Sequence, residues 1–180
     1  TPSARCPTIC ADAYGHGVSL LAPSIVKLVL KCVAVGSNDE ARLLRAAGYS
    51  GNIIRIRTAT VAEIEAGMAF EIEEAIGNLE LAKAAAAEAG RRQRTLRIHL
   101  ALNSGGMSRN GLEMTVPETR QEAVAIAQLP HLRVVGIMTH FPVEERADVL
   151  KGLAAFKKES AWLIAEARLD RHDITLHCAN

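Results

Sequence analysis

The chain has 180 residues, 49% of them hydrophobic and 23% charged, with a formal net charge of +1 at pH 7. That size and apolar share suit a single globular domain with a sizeable core. With aromatics at 3% and no aromatic-interleaved basic patch, a nucleic-acid partner is not expected; nor is a membrane span, because Pro23, Lys27 and Lys31 interrupt the most apolar stretch, Val18 to Val35.

Strand-like and helix-like runs alternate along the chain. Thr8 to Tyr14 reads as a first strand, followed by an amphipathic helix through Leu20, Leu21, Ile25 and Leu28. Cys32 to Gly36 is the second strand. Ser37 and Glu40 then have the spacing of a capping box, and Gly48 ends the helix they open. Asn52 to Thr58 is the third strand, and Thr60 with Glu63 forms another capping box. Glu74 to Gly77 is a weaker fourth strand, before Asn78 caps an alanine-rich helix that Gly90 is expected to end.

Thr95 to Leu102 is a clear fifth strand, and a loop rich in Asn, Ser and Gly follows it. Pro117 opens a helix ending near Gln128, Leu132 to His140 is the sixth strand, and a helix from about Arg146 to Ala167 leads into a seventh, Ile174 to Ala179. Seven βα units on short connections predict an α/β fold: an incomplete TIM (β/α)8 barrel with about seven of its eight units, occupying residues 1–180. Such a sheet would expose its first and last strands as edges, so the isolated fragment is expected to be unstable or to associate. The start at Thr1, with no signal peptide, suggests a processed or truncated piece.

In parallel barrels chemistry gathers at the C-terminal ends of the strands. Those ends carry Asp12 to Gly17, Arg55 and Arg57, Asn103 to Arg109, Thr139 to Phe141, and His177 to Asn180. A tyrosine, an arginine, a histidine and an asparagine meeting there suit a planar anionic ligand. Simpler roles compete. Tyr14 beside glycines also fits a turn, His140 a satisfied core histidine, and Arg109 a surface charge. The four cysteines, Cys6, Cys10, Cys32 and Cys178, lack zinc-site spacing.

The segment Ala11-Asp12-Ala13-Tyr14-Gly15-His16-Gly17 resembles the signature of the alanine racemase family, where Ala-Asn-Ala-Tyr-Gly-His-Gly follows the lysine that binds pyridoxal 5'-phosphate. Gly105 to Gly111, Thr139-His140-Phe141 and His177 to Asn180 occur in the family's order, and Ala101-Leu102-Asn103-Ser104 is similar to the periplasmic broad-specificity amino-acid racemases. The resemblance implies a homodimer acting on small amino acids such as alanine, lysine and arginine. It also implies Tyr14 and Asn180 at the cofactor phosphate, His140 against the ring, Arg109 on its phenolic side, and His177 orienting an arginine on an eighth strand. A Cys6–Cys32 disulfide, and hence the periplasm, comes from the same resemblance.

Cys10 stands where that family has its lysine. The resemblance further implies a C-terminal β domain, supplying a partner tyrosine, beyond these residues. With the lysine and that domain both absent, the chain is expected to be inactive as a racemase. Two other readings remain: a non-catalytic module that binds pyridoxal phosphate, and the decarboxylases built on the same barrel, which match the Tyr-Gly-His-Gly segment poorly.

Overall fold

The computed structural model describes residues 6–106, 111–141 and 144–179. The chain divides into two compact units, Thr1–Glu74 and Ala75–Asn180. Among the described residues no helix is long and apolar enough to cross a membrane.

The first unit holds α1 (Cys10–Tyr14), α2 (Val18–Lys27), β1 (Cys32–Val35), α3 (Asn38–Ala46), β2 (Asn52–Arg55), α4 (Val61–Gly67) and most of β3 (Ile72–Ile76). Strand β2 lies between β1 and β3, parallel to both, with Cys32 opposite Asn52 and Ile53 opposite Ile72. Parallel strands covered on both faces read as continuous apolar runs. Accordingly Val33, Val35, Ile53 and Ile72 pack into one core with Ala41 and Leu44 of α3 and with Val18, Ala22 and Ile25 of α2. Both predicted capping boxes form: Ser37 with Glu40 opens α3, and Thr60 with Glu63 opens α4.

The second unit holds the end of β3, α5 (Leu79–Arg91), β4 (Leu96–Leu102), α6 (Pro117–Ala127), β5 (Leu132–His140), α7 (Arg146–Glu166) and β6 (Thr175–Ala179). Asn78 caps α5 by accepting from Leu81 N–H at 2.8 Å, and Pro117 occupies the first turn of α6. The order β4-β5-β6 follows the chain, with Leu96 opposite Leu132 and Gly136 opposite Thr175, all parallel. Between Ile98 and His99 the register slips: Ile98 faces Val134 but His99 faces Gly136, so Val135 is an extra residue in β5. Gly136 leaves room for the His99 ring, which a Cβ at that position would overlap.

Two expectations need correction. The described residues form six strands, because Thr8 to Tyr14 contributes only an isolated parallel bridge from Thr8 to Ala34. Beyond it Ala11, Asp12, Ala13 and Tyr14 all take φ of 54–56°, so the backbone coils left-handedly instead of extending. Gly90 also does not end its helix. It lies within α5, and the chain leaves that helix through Gln93, at φ 53°.

Candidate active site

The motif segment is built on the left-handed turn α1. Four successive non-glycine residues in that conformation are unusual, since each sets its Cβ against the following carbonyl. The turn is closed by Ala13 N–H to Ile9 C=O at 2.9 Å and by Gly17 N–H to Asp12 C=O at 2.9 Å. Gly15 and Gly17, both at φ 84°, then release the chain into α2. Asp12 joins the two elements, its Oδ1 accepting from Val18 N–H at 2.7 Å.

Cys10 begins the turn. Its sulfur packs against Gly36, where an added Cβ would lie 3.3 Å from Sγ. Burial and the Glu40 carboxylate push the thiol up, Arg57 pulls the other way, and the net shift is upward. Tyr14, at the far end of the turn, is 73% exposed. Arg57 is held by Glu63 and donates from Nε to the Gly36 carbonyl at 2.5 Å. The Arg57 guanidinium and the capping hydrogen bond from Thr60 together hold the Glu63 carboxyl down, at about 2.

Arg55, one of the polar residues at the predicted strand ends, is fully buried in an ion pair. Its Nε and Nη2 donate to the two oxygens of Glu74 at 2.6 and 3.0 Å, and Nη2 also reaches Asn38 Oδ1 at 2.5 Å. Burial nonetheless pushes the Glu74 carboxyl up against the pull of that guanidinium. Cys6 and Cys32 adjoin as free thiols. Cys6 donates to the Cys32 sulfur, which raises the first thiol and lowers the second.

In the second unit His140 sits half-buried at the C-terminal end of β5, opposite Ala179 of β6. The preceding Thr139 is buried and donates to the Leu102 carbonyl at 2.9 Å. His177 of β6 approaches His99 of β4 edge-on, Nε2 to Nδ1 at 2.8 Å. Burial, with a smaller contribution from His99, holds His177 down to about 3, so it is neutral at physiological pH.

In the loop after β4, Asn103 donates to Glu113 at 2.9 Å and Ser104 bonds Glu159. Arg109 and Asn180 lie outside the described residues. Glu40, His99 and Glu113 had not been singled out as site residues. For Glu40 the capping-box spacing was the available signal, but it says nothing of a second partner far along the chain. His99 looks like any polar residue on a strand.

Residues 2–180 match the family model described as the alanine racemase N-terminal domain. The chain is 52% identical over 178 residues to a broad specificity amino-acid racemase of Pseudomonas putida, covering 99% of this chain and 44% of that protein. It is 42% identical to a lysine racemase of Proteus mirabilis, with the same coverage. Among solved structures, an alanine racemase of Clostridium difficile 630 in complex with cycloserine superposes with a TM-score of 0.86 at 26% identity, covering 96% of this chain and 47% of that one. The chain thus spans less than half the length of these relatives. It belongs to the alanine racemase family, of which these residues represent the N-terminal domain.

Proposed function

We propose that this chain is the cofactor-binding barrel part of a pyridoxal-phosphate-dependent, broad-specificity amino-acid racemase, and that with Cys10 at the lysine position it does not racemise. Relatives that are racemases of amino acids, lysine among them, support the first half. Cys10 carries the second. Bound in such a site, pyridoxal phosphate offers an aldehyde that condenses with an amine and a ring that takes up the electrons left by a departing α-proton. A thiol adds to an aldehyde reversibly but cannot make the carbon–nitrogen double bond, so Cys10 does not fit covalent attachment. It is also a poor proton acceptor here, because burial and Glu40 favour its neutral form.

The remaining residues are suited to holding the cofactor without a covalent bond. The family resemblance assigns Tyr14 and Asn180 to the phosphate, His140 to the ring and Arg109 to its phenolic side; Tyr14 is 73% exposed and His140 is half-buried. The second reading is a non-catalytic module that holds pyridoxal phosphate through these residues. The adjacency of Cys6 and Cys32 supports a disulfide and a periplasmic location, and the family resemblance supports a homodimer.

The test is to incubate purified chain with pyridoxal phosphate, record its visible spectrum, dialyse, and assay the enantiomers of lysine and alanine. The expected result is neither the absorbance of a lysine-linked cofactor nor interconversion of enantiomers. Interconversion would overturn the proposal. Cofactor retained after dialysis selects the binding module, and its complete loss selects a chain that has given up the cofactor.

A further inference from the structure

The carboxylate of Glu40 does more than cap its own helix. It is buried, 6% exposed, and its two oxygens divide their work. Oε2 accepts from the Gly36 and Ser37 amides at 2.7 and 3.1 Å, which completes the N-terminus of α3. Oε1 turns to a segment 28 residues earlier and accepts from the Asp12 amide at 3.1 Å. Asp12 is in the middle of the left-handed turn and itself holds the first turn of α2 through Val18. Gly36 is gripped from both sides, its amide by Glu40 and its carbonyl by Arg57, and the Cys10 sulfur rests on it. A hydrogen-bonded line therefore runs from Arg57 through Gly36, Glu40 and Asp12 to Val18.

A turn of four left-handed non-glycine residues persists only where its surroundings over-determine it. The hydrogen bonds within Ile9 to Gly17 bind the turn to itself, while Ile9 N–H to the Ala34 carbonyl at 2.9 Å fixes its start on β1 and Ala13 packs in the core. Inside the turn itself, the long-range hydrogen bond described is the one from the Asp12 amide to the Glu40 carboxylate, and a charge-assisted bond is the strong kind. We propose that Glu40 is a positioning residue that latches the Cys10–Tyr14 turn to the N-terminus of α3, setting where position 10 and Tyr14 stand. The inference rests on reading that turn as the cofactor side of the site.

Glu40→Gln separates the latch from the cap. A glutamine serves a capping box as well as a glutamate. With its one oxygen committed to Gly36 and Ser37, however, its amide group meets the Asp12 N–H donor to donor. Hydrogen exchange should then show the Asp12 amide exchanging roughly ten- to a hundredfold faster while the α3 amides keep their protection. Alkylation of Cys10 by iodoacetamide, measured by peptide mapping against Cys178 in the same chain, should rise several-fold. Ser37→Ala, which removes only the cap, should loosen the first turn of α3 and leave Asp12 protected.

Unchanged exchange at Asp12 in Glu40→Gln, or equal loss at Asp12 in Ser37→Ala, would show that Glu40 is only a helix cap. None of these readouts uses the cofactor. A chain that fails to bind pyridoxal phosphate would therefore refute the functional reading and leave the latch standing.

Discussion

His177 Nε2 lies 2.8 Å from His99 Nδ1 inside the second unit, so a hydrogen bond between two imidazole rings links strands β6 and β4. Because burial holds His177 down to about 3, the folded form resists a proton that the unfolded chain accepts near its ordinary 6.5. The unfolded state therefore binds more protons between those two values. The resulting stability is fully present above about pH 6.5 and falls as pH drops toward 3. The expected decline is at most about 1.4 kcal/mol per pH unit. Urea unfolding at a series of pH values should show the decline beginning near pH 6.5, and His177→Asn should remove that component.

Gly136 is the residue His99 requires. Gly136→Ala puts a methyl group into the buried His99 ring, and the overpacking should cost about 1–3 kcal/mol or more. In a His99→Ala background the same change should be far cheaper. Unfolding midpoints of the two single variants and the double variant give the coupling directly. Additive losses would mean that the two residues do not meet.

The Arg55–Glu74 pair is expected to be intolerant of losing one member. Arg55→Met leaves the Glu74 carboxylate buried without its cation and should cost about 3–5 kcal/mol in chemical denaturation. Replacing both with apolar residues of similar volume should recover much of the loss.

Restoring the amine at position 10 tests the functional reading from the other side. Cys10→Lys is expected to give the visible absorbance of a lysine-linked cofactor, which borohydride reduction should abolish while fixing the cofactor's mass on residue 10. Interconversion of lysine or alanine enantiomers is assayed alongside, and its appearance in Cys10→Lys but not in the parent chain would assign the missing activity to position 10.

Much of the fold was legible because its signals are local. Ser37 with Glu40, Thr60 with Glu63, Asn78 and Pro117 each mark a helix start through contacts within one turn, and β5 runs over Leu132–His140 as its apolar run indicates. The first strand was misread because Thr8 to Tyr14 carries no periodic cue against extension. What bends it lies partly at Glu40, 28 residues beyond Asp12, where spacing rules do not reach. The arginines show the same limit. Sequence placed Arg55 and Arg57 together on one strand, but Glu74 buries the first and Glu63 holds the second. For the candidate site, Tyr14 and His140 were singled out by motif resemblance, whereas the His99–His177 contact becomes visible only when β4 and β6 are brought to either side of β5.

The extra residue at Val135 acts as a phase shifter in the sheet. In a strand alternate residues face opposite sides, so one inserted position reverses every side chain after it unless a bulge takes it up. Val134 and the residues before it obey one alternation, while Ile137, Met138, Thr139 and His140 obey the other. Deleting Val135 would leave Gly136 opposite His99 and give β4 and β5 an unbroken ladder, so Thr139 would stay beside the Leu102 carbonyl and only the local bend at the bulge would be lost. His140 thus keeps its place opposite Ala179 because the extra residue is taken up locally, at a valine whose own side chain is part of the core.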